Sequence, residues 1–184
     1  MFSCFKAKPA YKYEVLRYEG AGCLFTNNQL VLAGYQPNKT TSYISGIGGS
    51  KMPGETFQRT AYRETLEELF HVNTFPAGLI ESIELILEPK RVVQNSTYVL
   101  IVLSFTDLEL ILRACKYYKL VSPMYDSIPL KLNDLILNRN LDPTAEITHL
   151  SLIPLAKNVV IDPYFVEDLN ISLGAGIDPD PKPI

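Results

Sequence analysis

Residues 49–68 read GSKMPGETFQRTAYRETLEE, and the spacing of the charged residues in this stretch constrains the chain more than any other feature. Gly49 is followed after five residues by Glu55, and after seven more by Arg63 and Glu64, with Glu67 and Glu68 behind them. Glu64, Glu67 and Glu68 stand at i, i+3 and i+4, so a helix turning about 100° per residue places all three on one face. Tyr62, Leu66, Leu69 and Phe70 fall on the other side as an apolar stripe. The segment Phe57–Phe70 therefore reads as an amphipathic helix with Thr56 as its N-cap; Arg59 at the third position completes no capping box. Three carboxylates on one turn repel each other, and a cation between them is the expected relief. The preceding SGIGGSKMPG is rich in glycine, a loop whose backbone approaches a metal or a phosphate closely.

The pattern Gly, five residues, Glu, seven residues, Arg-Glu, two residues, Glu-Glu resembles the signature of the Nudix (MutT-type) hydrolases, over Gly49 to His71. At average residue usage a chance match in a chain of this length has odds on the order of one in 10^5, so the spacing is informative about family and nearly silent on substrate. Two positions depart from the family pattern. Thr65 stands where an aliphatic residue is usual, and Phe70, followed by His71, replaces the glycine that closes the motif. Without that glycine the helix is expected to run a turn further, towards Asn73.

The resemblance implies a fold and a chemistry. The fold expected is α/β, a Nudix-type α/β/α sandwich with a mixed sheet and the acidic helix against it. Glu64, Glu67 and Glu68, with the backbone carbonyl of Gly48, would hold Mg2+, or Mn2+ as a substitute, since hard oxygen ligands suit these ions. Arg63 would orient a neighbouring carboxylate, Glu55 or Glu68. Gly49, Glu55, Lys90 and Arg91 are the expected substrate-binding residues. For the general base the family offers two placements: a glutamate of the motif itself, or one on a later loop just before a strand. Glu146 meets the second description, with Asp142 and Glu109 as weaker candidates. His71 reads as a helix-end residue and His149 as an ordinary strand residue.

The function expected is hydrolysis of the pyrophosphate linkage in a nucleoside diphosphate derivative by metal-activated water. Two alternatives stand beside it: an mRNA-decapping enzyme, and a Nudix-fold binding or structural module without turnover. A net charge of −3 disfavours a general nucleic-acid coat, although Lys116–Lys119 and Lys90–Arg91 are basic fragments that capped RNA could meet. No ligand-type residue is missing from the motif, which disfavours the third reading.

With 184 residues, 47% hydrophobic and 20% charged, the chain suits one domain with a sizeable core, as a monomer or a homodimer. No stretch approaches a membrane span and no signal-peptide pattern opens the chain. Cys4, Cys23 and Cys115 are odd in number and scattered, as reduced thiols are, so a cytoplasmic location is expected and the acceptor-like Asn38-Lys39-Thr40 and Asn95-Ser96-Thr97 are read as accidental.

Along the chain, residues 1–10 read as a loose lead-in and 11–172 as a single domain. Strands are expected at Tyr11–Tyr18, Ala21–Thr26, Gln29–Tyr35, Ser42–Ile47, Leu79–Leu87, Thr97–Phe105 and Ile147–Pro154, with Asn27-Asn28 as a hairpin turn. Helical spacing over Asp107–Leu120 and within Pro129–Leu137 makes a helical insertion of about 107–140. Pro163–Leu169 reads as a closing helix, and 173–184 as a proline- and glycine-rich tail.

Overall fold

A computed structural model describes residues 17–37, 44–155 and 161–176. The expected lead-in, most of the strand Tyr11–Tyr18, Ser42, Tyr43 and residues 177–184 of the tail lie outside the described residues. The chain runs β1 (Gly20–Phe25), β2 (Leu30–Tyr35), β3 (Ile44–Ser45), β4 (Ile47–Ser50), α1 (Phe57–Phe70), α2 (Leu79–Ile86), β5 (Arg91–Asn95), β6 (Tyr98–Leu103), α3 (Phe105–Tyr117), α4 (Leu132–Leu137), β7 (His149–Pro154) and α5 (Pro163–Leu173).

Two sheets form. One has the order β4-β1-β6-β5 and is mixed: β1 runs parallel to β6 and antiparallel to β4, and β5 is antiparallel to β6. The other, β3-β2-β7, is antiparallel throughout. The nearly continuous apolar run of β6 makes it an inner strand, buried on both faces, as such runs require. Alternate residues of the mixed sheet serve different cores. Ala21, Cys23 and Phe25 with Val99, Ile101 and Leu103 pack among residues of α1, α2 and α3, while Leu24 and Val102 pack with Phe165, Val166 and Leu169 of α5. Helices thus cover both sides, and the expected mixed α/β class is the one observed.

Four expectations are corrected. The Asn27-Asn28 turn exists, with Asn27 Oδ1 accepting from the amides of Gln29 and Leu30, but β1 and β2 pair only at the bridge Thr26–Val31 and then diverge into different sheets. The glycine-rich segment is not all loop, because Ile47–Ser50 is strand β4 on β1. Leu79–Leu87 is mostly helix α2, not strand: Gly78 opens it at φ 83, and Leu79, Ile80 and Ile83 form its buried face. A strand, β5, begins at Arg91, where a loop was expected.

The insertion is helical, as the spacing predicts. Leu108, Ile111, Leu112 and Cys115 of α3 are buried, and Ser104 and Asp107 close a reciprocal capping box at its start. α5 runs past the expected end at Leu169 to Leu173. Among the described residues no helix is long and apolar enough to cross a membrane. Cys23 and Cys115 are free and buried, and burial pushes both thiols up to about 12.

Candidate active site

Helix α1 carries the acidic face. Its N-cap is Thr56, whose side chain accepts from the Arg59 amide, and Tyr62, Leu66, Leu69 and Phe70 are fully buried beneath it. Thr65 fits the core because its hydroxyl donates to the Ala61 carbonyl one turn back, so no polar group is left without a partner. The helix stops at Phe70. His71 itself adopts the left-handed conformation, φ 50 and ψ 54, and so takes the role of the missing glycine; the expected extension towards Asn73 does not occur.

Arg63 is the hub. Its side chain is 6% exposed. Nε donates to Glu55 Oε1 at 2.8 Å and Nη2 to Glu55 Oε2 at 3.0 Å, a two-pronged bond. Nη1 donates to Glu64 Oε1 at 2.7 Å and Glu67 Oε2 at 2.9 Å, and Nη2 reaches the Ser50 carbonyl at 2.7 Å. Of the two carboxylates expected as its partner, Glu55 is the one it grips. Glu68 turns the other way, with Oε2 accepting from the Gly48 amide at 2.7 Å and Oε1 from Gln36 Nε2 at 3.2 Å. The same Gln36 nitrogen donates to Glu146 Oε1 at 3.3 Å. Gln36 thus spans the motif helix and the loop before β7, and nothing in the local spacing of the sequence points to it.

Burial and charge act against each other here. Burial pushes the Glu55 carboxyl up, but hydrogen bonds from Arg63, the Met52 amide and Thr60 outweigh it and hold the group down at about 2. Burial raises Glu64 above the usual carboxylate range; Arg63 pulls it down, while Glu67 and Glu146 push it up. Burial disfavours the Arg63 charge, yet its bonds to Glu55 and Glu64 hold its pKa above the ordinary arginine value.

Glu64, Glu67, Glu68 and Glu146 share the wall of one cleft of about 500 Å³ with Met52, His71 and Thr144. The structure therefore brings together the three motif glutamates and the distant Glu146. Gly49 of β4 lies against Glu64: a Cβ there would clash with that carboxylate, so the bare backbone is what lets it sit against β4. Lys90 and Arg91 are not in this wall, and Arg91 Nη1 instead donates to the Ser172 carbonyl near the end of α5. Glu109 pairs with Lys131, and Asp142 accepts from Thr144. His149 stands edge-on to Tyr35.

Carboxylate oxygens from one rigid helix are the donor chemistry a hard divalent cation takes. Among the described residues, however, no three His, Cys, Asp or Glu side chains already converge as a coordination sphere. Arg63 Nη1 holds Glu64 and Glu67 together while the Gly48 amide holds Glu68, so part of the carboxylates' mutual repulsion is relieved by the protein itself.

A second cavity, of about 450 Å³, lies behind β4 and is lined by Ser45, Gly48, Asn95, Tyr98, Phe165 and Asp168 among others. Gly48 belongs to both places: its residue lines this cavity while its amide holds Glu68. The Ser45 hydroxyl is buried with no hydrogen-bond partner among the described residues. Burial raises Asp168 to about 6 against a hydrogen bond from Asn95.

No family model and no curated protein matches the sequence. Among solved structures, the chain is similar to a bifunctional NMN adenylyltransferase/ADP ribose pyrophosphatase from Francisella tularensis complexed with AMP and a manganese ion. The identity there is 14%, over 88% of this chain and 42% of that one, with a TM-score of 0.42. A second structure of that enzyme gives 14% identity, 85% and 41% coverage and a TM-score of 0.41, so the chain spans well under two thirds of that protein. A hydrolase of the NUDIX family from Clostridium perfringens is similar at 12% identity, 87% and 98% coverage and a TM-score of 0.37.

Proposed function

We propose that the chain is a Nudix-type, Mg2+-dependent hydrolase that cleaves the pyrophosphate linkage of a nucleoside diphosphate derivative. The observation that carries this reading is the meeting of Glu64, Glu67 and Glu68 with Glu146 in a single cleft, although Glu146 belongs to a loop far along the chain. Glu64, Glu67 and Glu68 would hold the cation, and Mn2+ could replace Mg2+. When bound, such an ion neutralises diphosphate charge and lowers the pKa of a water molecule.

The chain's own residues supply the rest. Arg63 keeps Glu64 and Glu67 on a common donor and ties Glu55, in the loop in front of α1, to the helix. Glu146 accepts the proton of the attacking water from the far wall of the cleft. The cavity behind β4 suits the nucleoside, with Tyr98 and Phe165 as apolar walls and Asp168 and Asn95 as polar contacts for a base edge.

A panel of nucleoside diphosphate derivatives and capped RNA, incubated with Mg2+ in isotopically labelled water, tests the reading. The expected result is turnover with label entering one phosphorus, abolished by Glu67→Gln or Glu68→Gln without loss of fold, and slowed roughly 10^2–10^4-fold by Glu146→Gln. Wild-type rates in the Glu67→Gln protein, or no association of Mg2+ or Mn2+ with the folded chain, would end it.

A further inference from the structure

We propose that Arg139, in the helical insertion, is a positioning residue that sets the placement of Glu146 relative to the acidic helix. Arg139 follows α4 and is buried. Its terminal nitrogens donate to four neutral oxygens on three separate pieces of the fold. Nη2 reaches the Glu68 carbonyl at 3.0 Å and the Ile147 carbonyl at 2.7 Å. Nη1 reaches the Leu69 carbonyl and, at 3.0 Å, the Tyr125 hydroxyl. Tyr125 in turn donates to the Leu135 carbonyl of α4 at 2.8 Å.

Glu68 and Leu69 lie in the last turn of α1, whose carbonyls lack helical partners and carry the negative end of the helix dipole. Ile147 is the residue after Glu146. One planar guanidinium therefore bridges the backbone of Glu68 to the backbone adjoining Glu146, and Gln36 bridges the two side chains from the other direction. The Arg139 Nε is buried without a partner among the described residues. A buried cation held only by neutral oxygens carries a desolvation cost that its hydrogen bonds must offset, and removing it leaves those carbonyls without a donor. Its value lies in the rigid fork, which fixes two directions at once as a lysine cannot.

This inference rests on the hydrolase reading for its catalytic consequence, but the clamp can be tested without turnover. Amide exchange over residues 144–149 should speed by about tenfold or more in Arg139→Lys and Arg139→Met, with α5 unchanged. Tyr125→Phe, a milder change that removes one anchor, should act in the same direction. Unchanged exchange over 144–149 in variants that fold overturns the proposal, whatever the activity.

Where turnover is present, Arg139→Lys should lower kcat roughly 10- to 100-fold with KM little changed, because misplacing a proton acceptor affects the chemical step. In a Glu146→Gln background the same change should cost little more. Fully multiplicative losses overturn the link to Glu146. Rescue of kcat in Arg139→Ala by added guanidinium supports it. A selective change in exchange in a chain that hydrolyses no pyrophosphate supports the clamp and removes the hydrolase reading instead.

Discussion

On the proposed hydrolase reading, Gly49 should separate stability from catalysis at a single residue. A Cβ at that position meets the far end of the Glu64 side chain, at 2.4 Å from Oε2 and 2.6 Å from Cδ, and no backbone atom is among its nearest neighbours. A flexible carboxylate can swing away at little cost, whereas backbone could not. Gly49→Ala should therefore change stability by less than about 1 kcal/mol, while displacing Glu64 from its bond to Arg63 and cutting turnover by roughly 10^2-fold. Thermal unfolding and steady-state rates measured side by side check this, and equal losses in both would show that Gly49 serves the sheet instead. The residues legible in the sequence were those whose proximity follows from helix geometry alone. Arg63, Glu64 and Glu67 meet because they share a turn. Gln36 and Arg139 were not legible, since they reach the site through long-range pairing of β2 and through the insertion, and neither carries a local spacing signal. Glu146 was reached by resemblance, not by geometry.

At the scale of elements, the end of α1 is held by a residue poorly suited to it. His71 sits at φ 50, where a side chain costs about 1–2 kcal/mol relative to glycine. Its contacts are weak: Nε2 lies 3.4 Å from Thr144 Oγ1 and 3.9 Å from Asp142. Against this, glycine frees the unfolded chain and costs roughly 0.4–1 kcal/mol. His71→Gly should thus stabilise by roughly 0.5 kcal/mol, and the β-branched His71→Val should destabilise, both read from urea midpoints. Val exceeding Gly in stability would mean that the left-handed turn is not the native exit. The same chemistry explains the misread elements. Leu79–Leu87 is apolar enough for a buried strand, yet its buried set Leu79, Ile80 and Ile83 is helical, and short apolar runs do not separate the two by composition. The turn after β1 was legible from Asn27-Asn28; the divergence of β1 and β2 into two sheets was not, because it is decided by partners far along the chain, β6 for one and β7 for the other.

Across the whole molecule, the two cores meet through the mixed sheet, and the charged groups set into them make folding depend on pH. Asp168 of α5 is raised from 3.8 to about 6, chiefly by burial. A carboxyl that holds its proton more tightly when folded favours the folded state most below its unfolded value, and that advantage is lost as pH rises through its folded value. Stability from Asp168 should therefore fall between about pH 4 and 6. Glu64 and Glu84 are raised by burial as well and add to the same fall. Glu55 works oppositely: held down at about 2 from 4.5, its contribution is complete above 4.5 and drains away as pH drops towards 2. These groups pull in opposite senses, with Asp168 weakening the fold as pH rises towards neutral and Glu55 as it falls towards the acid end. Asp168→Asn keeps the shape and removes the titration, so it should flatten the neutral limb by about 1–2 kcal/mol between pH 4 and 7, after discounting for partial exposure. Urea unfolding at several pH values measures both limbs in one series. An Asp168→Asn protein with the wild-type slope would show that Asp168 is solvated rather than enclosed, and would weaken the cavity behind β4 as the place for a nucleoside.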